Sequence, residues 1–303
     1  MLLLKAGELV AIPTETVYGL AADAYNPEAV KKIFDAKGRP ANHPVIVHIY
    51  EINQLKNWVE SIPEFAYSLI KHFWPGPMTL IFPAAKHVPA IITGGQNTIG
   101  IRMPAHPVAR ELLKAFGGGI AAPSANRFGR ISPTTAAHVR EELGDKVKLI
   151  LDGGPCALGL ESTIIDLTHE PPRLLRSGPL TIAEIEMKSG IKVVEQKTNS
   201  PRVSGNLASH YAPTTPSYLM STDEIRHLLL EKAIGIVALA CSNTTKHKHW
   251  IQMPRDPTSY AHDLYAVLHK MDSLNLDKII IESPPNTPAW QAVIDRLQKA
   301  TYR

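Results

Sequence analysis

Over a short span the chain passes from β-structure to helix and back, and that alternation restricts the fold more than any other feature. Val10-Ala11-Ile12 is an apolar strand running straight into PTETVYGL, a turn rich in hydroxyls. A short helix follows, with Asn26 as its N-cap and Pro27 at the first helical position. Ala29, Val30, Ile33 and Phe34 fall on one face of it. Gly38 lets the backbone turn and Pro40 forbids continuation, so Lys37-Gly38-Arg39-Pro40 reads as a stiff loop. Val45 to Ile49 is a β-branched run that reads as a buried strand. Two cations, Lys37 and Arg39, thus lie between a helix and a core strand, an arrangement suited to an anion such as phosphate.

Beyond this stretch, turn signals divide the chain regularly. A helix over about 63–73 stops at Trp74-Pro75-Gly76-Pro77, and strands follow over 78–82 and 98–103. Pro107 opens a helix over 107–116, ended by three glycines. A small-residue strand then ends at Pro123, with Ser124 and Asn126 on the loop beyond it. Ser132-Pro133 caps a helix to about Leu143. Strands are expected over 149–152, 162–167 and 173–176, and Thr181 with Glu184 forms a capping box.

From 197 to 216 the sequence turns polar and rich in Pro, Ser and Thr, as a linker does. After it come a helix opened by Ser221 to Glu224, a strand over 234–240, and a helix over 258–271. That helix carries Tyr260, Leu264, Val267 and Met271 on one face; a strand over 278–281 and a helix over 288–300 close the chain. This αβαβα order is half of a doubly wound sheet. With 303 residues the chain divides into domains 1–196 and 217–303 around the linker.

Two cysteines, Cys156 and Cys241, supply neither a disulfide framework nor a paired-cysteine zinc site. The apolar start MLLLKAG is too short for a signal peptide, and nothing is long enough to span a membrane, so a cytoplasmic protein is expected. A net charge of +4 permits contact with nucleotides or RNA without demanding it. Lys246 to His249 is the nearest thing to a basic cluster and reads as a solvated loop.

The usual phosphate-loop, dinucleotide, zinc-protease, EF-hand and nucleophile-elbow signatures are absent. What remains is a scatter of Arg, Lys, Ser, Thr and Asn at strand ends, groups that bind anions without attacking anything. Arg102 and Arg176 stand out because each sits within or at the end of an apolar strand, where an unpaired cation is costly. His48 alternates with Val47 and Ile49 and is either a ligand group or a hydrogen-bonded sheet residue. Cys156 has no base apparent beside it and reads as structural or incidental.

PTETVYGL, KGRPANHP, WPGPMTL, IGIRMP, APSAN, ESTIIDL and LLRSG occur in that order, and together they resemble the YrdC-like domain of the threonylcarbamoyl-AMP synthase family. SPRVSGNLASHYAPTTP and the αβ tail are similar to the linker and C-terminal domain of the family's long form. Family members commonly carry about one more helix before GELVAIPTET; here it is nearly missing, so a short first helix or a misplaced start is expected.

The resemblance implies a twisted mixed α/β sheet with helices on both faces and an open cavity, followed by a small Rossmann-like parallel α/β domain. It implies that L-threonine, bicarbonate and ATP, with Mg²⁺, form threonylcarbamoyl-AMP and pyrophosphate, for transfer by other enzymes to adenosine 37 of tRNA. By matched motif, Lys37 and Arg39 would face the ATP phosphates. His43, Thr98, Ser124, Asn126, Ser132 and Arg176 would line the nucleotide site, with His210 and Tyr211 folding over it as a lid. Thr16, His48, Arg102, the backbone at Ala122 and Ser162 would hold threonine. A rival reading is a non-catalytic module of the same fold that binds tRNA or double-stranded RNA. A third, carbamoyl transfer in metal-centre maturation, would need acylphosphatase-like or zinc-finger regions that this sequence lacks.

Overall fold

The computed structural model describes the chain except residues 197–199, 206–207, 229–233, 245 and 303. It separates into two compact units. The first holds Met1–Phe128, Pro133–Ala157 and Glu161–Asn206; the second holds Gly129–Ser132, Leu158–Leu160 and Leu207–Arg303. Among the described residues no helix is long and apolar enough to cross a membrane.

The first unit opens with a short helix α1 (Leu2–Lys5) and strands β1 (Val10–Ile12) and β2 (Gly19–Asp23). Helix α2 (Pro27–Lys37), β3 (Val47–His48), α3 (Ala66–Phe73), β4 (Met78–Pro83), α4 (Ala90–Thr93), β5 (Thr98–Arg102) and α5 (Pro107–Phe116) follow. Next come β6 (Ile120–Ala121), α6 (Ala136–Leu143), β7 (Leu149–Ile150), β8 (Thr163–Asp166), β9 (Arg173–Arg176), α7 (Ile182–Ser189) and β10 (Val194–Glu195). The ten strands form one sheet in the order β10-β9-β8-β4-β5-β3-β6-β2-β1-β7. It is mixed: β1–β2 and β4–β5 pair antiparallel, β3–β5 and β4–β8 parallel.

Strand alternation sorts the apolar residues between two faces. On one face, Ala11, Leu20, Val47, Leu80, Phe82, Ile99 and Ile101 pack with buried residues of α2, α3, α4, α6 and α7 in a single large core. On the other, Val10, Ile12, Ala21 and Ile120 meet Leu4 of α1 and Leu112 and Leu113 of α5. Farther along that second face, Ile81, Ile164 and Leu175 are covered by Val203. Segment 200–205, the described start of the linker, is therefore docked on the first unit.

Local chemistry shaped several elements as expected. Asn26 Oδ1 accepts from the N–H groups of Glu28 and Ala29, Gly38 is left-handed at φ 62, and the Thr181–Glu184 capping box is complete. Other expectations need correction. The turn after β1 ends at Val17-Tyr18, because Thr14 Oγ1 accepts from the N–H groups of Thr16 and Val17 and folds the chain back early enough for β2. Helix α6 is capped by Thr135, whose hydroxyl accepts from His138 N, and not by Ser132-Pro133. Lys37 is the last helical residue rather than a loop residue. The strands expected over 45–49 and 149–152 shrink to two residues each, since their neighbours β6 and β1 pair with them only there.

The second unit contains β11 (Ser217–Met220), α8 (Thr222–Leu228), β12 (Ile234–Ala238), β13 (Trp250–Gln252), α9 (Pro257–Asp272), β14 (Lys278–Glu282) and α10 (Gln291–Ala300). Its sheet runs β11-β14-β12-β13, all parallel. The sequence reading missed the two edge strands, β11 directly after Pro216 and β13 directly after the basic loop, where polar flanks mask short strands. In α9 the buried face is Tyr260, Leu264, Tyr265, Leu268 and Met271, so Leu268 takes the place expected of Val267.

Beyond the carboxyl ends of β12 and β14, where ligands lie in open α/β sheets, the second unit holds its own anion. The Glu282 carboxylate, 1% exposed, accepts from the N–H groups of Leu239, Ala240 and Cys241 and from the Thr222 hydroxyl. Burial alone would raise its pKa, but these hydrogen bonds outweigh burial and hold it below the usual carboxylate value. Its contribution to stability is therefore present above about pH 4.5 and lost as pH falls through the depressed pKa. Glu282→Ala is expected to destabilise the second unit by about 3 kcal/mol, read by urea denaturation of the full chain. Glu282→Gln should flatten the acid limb of the same stability profile.

Candidate functional site

The strand-borne polar residues share the second face of the large sheet. Along β5, Ile99 and Ile101 enter the main core, so Thr98, Gly100 and Arg102 point the other way. His48 alternates with core residue Val47, and Thr79 with core residues Met78 and Leu80. In register, His48 and Thr79 flank Arg102 on its two sides. A cleft on this face is lined by Pro44, Ile46, Thr98, Gly100, Arg202 and Ser204, among others.

Lys37 reaches this region from the end of α2. Its Nζ donates to the carbonyls of Ser124 and Asn126, each at 2.6 Å, with Asn126 Oδ1 at 3.5 Å. The loop carrying those carbonyls is stitched to β2 by Leu20 N to Pro123 O and Ala125 N to Tyr18 O. Burial, and then the neighbouring Arg39 charge, push the Lys37 pKa well below 10.5. Arg39 donates through Nη2 to Pro44 O at 2.7 Å and Ser204 Oγ at 3.1 Å. His43 stands edge-on to Phe128, and burial followed by the charges of Arg39 and Arg202 lowers its pKa. Two like charges are held side by side in a nearly dry place, which favours a polyanion.

Arg102 is 4% exposed, and three of its five N–H groups are engaged. Nε donates to Gly76 O at 3.2 Å, Nη1 to Thr16 Oγ1 at 2.8 Å, and Nη2 to Glu15 Oε1 at 2.6 Å. Burial, and then the Arg102 charge, drive the His48 pKa down to about 3, so its ring is neutral, and its buried Nδ1 has no hydrogen-bond partner. The Ala122 N–H is donated to Ile46 O.

Arg176, at the end of β9, donates to Ser162 through Nε and Nη2 and to Ser204 O through Nη1. Ser162 Oγ also shares a 2.7 Å hydrogen bond with Thr79. Lys37, Arg39, His43, Ser124 and Asn126 are thereby linked on one side, and Thr16, His48, Arg102, Ser162 and Arg176 on the other. Ser204 is shared by Arg39 and Arg176. Sequence reasoning missed Glu15, Thr79 and Ser204. The alternation of Met78-Thr79-Leu80 could have exposed Thr79; the other two are defined by long-range contacts alone.

Three expected residues belong to the second unit. The Ser132 carbonyl accepts from His269 Nε2 at 3.2 Å. Tyr211, left-handed at φ 61, packs its ring against His210, Tyr265 and the Arg296 guanidinium. Asp272 accepts from Thr214 N, Thr215 N and Arg130 Nη2, fixing the chain that follows.

Among the described residues no cluster of three or more His, Cys, Asp and Glu could hold a metal ion. Cys156 is buried, and burial pushes its thiol up to about 12, so it stays protonated. Among the described residues the site is cationic and hydroxyl-rich, an arrangement suited to binding and orienting anions.

Residues 2–178 match the Sua5–YciO–YrdC family model, described as telomere recombination, and residues 180–301 match the threonylcarbamoyl-AMP synthase C-terminal domain. The threonylcarbamoyl-AMP synthase of Pyrococcus abyssi is 40% identical over 317 residues, covering 99% of this chain and 92% of that protein. That of Bacillus subtilis is 40% identical over 319 residues, covering 98% and 90%. A crystal structure of P. abyssi Sua5 complexed with L-threonine has a TM-score of 0.91 at 39% identity, covering 98% of this chain and 92% of that one. The fold and site define a mixed α/β protein with a cationic cleft, and the chain belongs to the threonylcarbamoyl-AMP synthase family in its two-domain form.

The Arg176–Ser162 contact leaves no room behind it. A Cβ on Gly178 would lie 2.4 Å from Thr163 N and 2.7 Å from Glu161 O. Gly178→Ala should therefore shift the backbone at Ser162 and destabilise the first unit by about 1–3 kcal/mol, read as a lowered urea midpoint for that unit.

Proposed function

We infer that this chain is an L-threonylcarbamoyladenylate synthase, forming threonylcarbamoyl-AMP and pyrophosphate from L-threonine, bicarbonate and ATP. The observation that carries this reading is a match to threonylcarbamoyl-AMP synthases at 40% identity over 98–99% of the chain. The product would pass to machinery that modifies adenosine 37 of tRNA, in the cytoplasm, with contact to tRNA itself open to test.

The chemistry needs no protein nucleophile. A carbamate oxygen of threonine carbamate attacks the α-phosphorus, the bond to the bridging oxygen breaks, and pyrophosphate leaves with that electron pair. The chain's task is to align the carbamate with the α-phosphate and to stabilise the charge that moves onto the leaving group. Lys37 suits the second role: two of its ammonium donors are pinned by carbonyls, and the third is only weakly held, at 3.5 Å. Arg39 and Arg176, which share Ser204, would both exchange it for phosphate oxygens. His43, Thr98, Ser124, Asn126 and Ser132 would line the nucleotide, with His210 and Tyr211 as the lid. Thr16, His48, Arg102, the backbone at Ala122 and Ser162 would hold threonine, a neutral His48 adding no charge to compete with Arg102.

Mg²⁺ would enter with ATP as part of the substrate. The first unit's site presents cations and hydroxyls, so phosphate oxygens and water would complete the ion's shell, where it would share the triphosphate charge.

The test is pyrophosphate release from MgATP and bicarbonate with and without L-threonine. Release should require threonine and fall by about 100-fold in Lys37→Ala. Folded protein that releases no pyrophosphate in response to threonine would defeat the synthase reading and make RNA binding the next assay.

A further inference from the structure

Arg102 has five N–H groups, and three of them are engaged, by Gly76 O, Thr16 Oγ1 and Glu15 Oε1. One N–H on each terminal nitrogen is left over. The partner that fixes this arrangement is Glu15, which divides its carboxylate between two tasks. Oε1 holds the guanidinium at 2.6 Å, and Oε2 accepts from Ala105 N at 3.1 Å, in the loop directly after β5. Glu15 thus ties the tip of Arg102 to the backbone beyond its own strand.

The turn carrying Glu15 is rigid as well. The Thr14 hydroxyl donates to Val17 O at 2.6 Å, so in the 2.8 Å contact between Thr14 and Thr16 the proton belongs to Thr16. Thr16 Oγ1 is then oriented to accept from Arg102 Nη1. Two neighbouring residues of one turn, with opposite hydrogen-bonding arrangements behind them, set the angle of the fork. An Arg side chain otherwise carries considerable rotamer freedom, so a fork held in advance binds more strongly than a loose one.

We propose that Glu15 is a positioning residue that presents the remaining N–H groups of Arg102 to the carboxylate of the amino-acid substrate. The proposal rests on the reading above that Arg102 receives that carboxylate. Because Glu15 already offsets the charge of Arg102, recognition depends on oriented N–H groups more than on net charge. The site should therefore prefer a planar carboxylate over a carboxamide through geometry that only the held fork provides. A counter-ion that merely competed with substrate would have the opposite effect: its removal would tighten amino-acid binding.

The experiment compares wild type with Glu15→Gln, which keeps the volume and removes the charge. KM for L-threonine and for ATP is read from pyrophosphate release, and binding of L-threonine against L-threonine amide by calorimetry. The expected result is a KM for threonine raised about tenfold or more, with KM for ATP and the urea midpoint near wild type. The preference for threonine over its amide should shrink by a similar factor. A threonine KM that is unchanged or lowered would overturn the proposal, as would threonine and ATP KM values that rise together with a loss of stability. If Glu15→Gln does not fold, Glu15→Asp, which keeps the charge and withdraws it by one methylene, is read by the same split. Wild-type protein that binds no threonine would fail the proposed function first, and is distinguished from failure of the Glu15 role by the wild-type calorimetry alone.

Discussion

Holding cations in a nearly dry place is the constraint on which the first unit turns. Lys37, Arg39, Arg102 and Arg176 are each between 4% and 8% exposed, and such charges survive burial only where their donors are met. The fold meets them mainly with oxygens that carry no formal charge. Lys37 rests on two carbonyls; Ser162, Ser204 and Pro44 serve the two outer arginines. Carbonyls and hydroxyls satisfy donors without cancelling charge, so the positive potential survives for a ligand. Arg102 is the contrasting case, with a carboxylate at 2.6 Å.

That contrast divides the site chemically. On the Lys37–Arg39 side two like charges repel one another, and a triphosphate would relieve the repulsion. The Arg102 side is nearly charge-balanced and rigid, and a small zwitterion with one planar carboxylate suits it better. A single sheet face can hold both because the antiparallel and parallel pairings of β5 with β4 and β3 put Thr79, Arg102 and His48 in one row across three strands. The linker's first residues complete that face: Val203 fills the apolar strip while Ser204 sits on both arginines.

The two units handle buried charge in opposite ways. In the second, the strand-end position that α/β folds commonly offer to ligands is filled by the chain's own Glu282, cradled by backbone N–H groups. The same nest geometry that elsewhere receives a phosphate serves here as an internal clasp between β12, β14 and α8.

Several helix starts, though not the cap of α6, which falls at Thr135 rather than Ser132, were legible in the sequence because they depend on neighbours three or four residues away: Asn26, Pro107 and the Thr181–Glu184 box act as read. So were the long apolar strands β4, β5, β8 and β12, and the motif order that identifies the family. Strand lengths at β3 and β7, and the edge strands β11 and β13, were not, since pairing partners distant in the chain decide how many residues are laddered. The sequence by itself determined that a cation pair stands at the end of α2 and that Arg102 and Arg176 lie in apolar strands, because burial of an arginine is written in its flanking residues. Only the tertiary structure decided that Glu15 answers Arg102, that Ser204 bridges Arg39 and Arg176, and that Tyr211 packs on Tyr265. Each of those contacts joins residues far apart in the chain, and no local pattern encodes the angle at which two distant side chains meet.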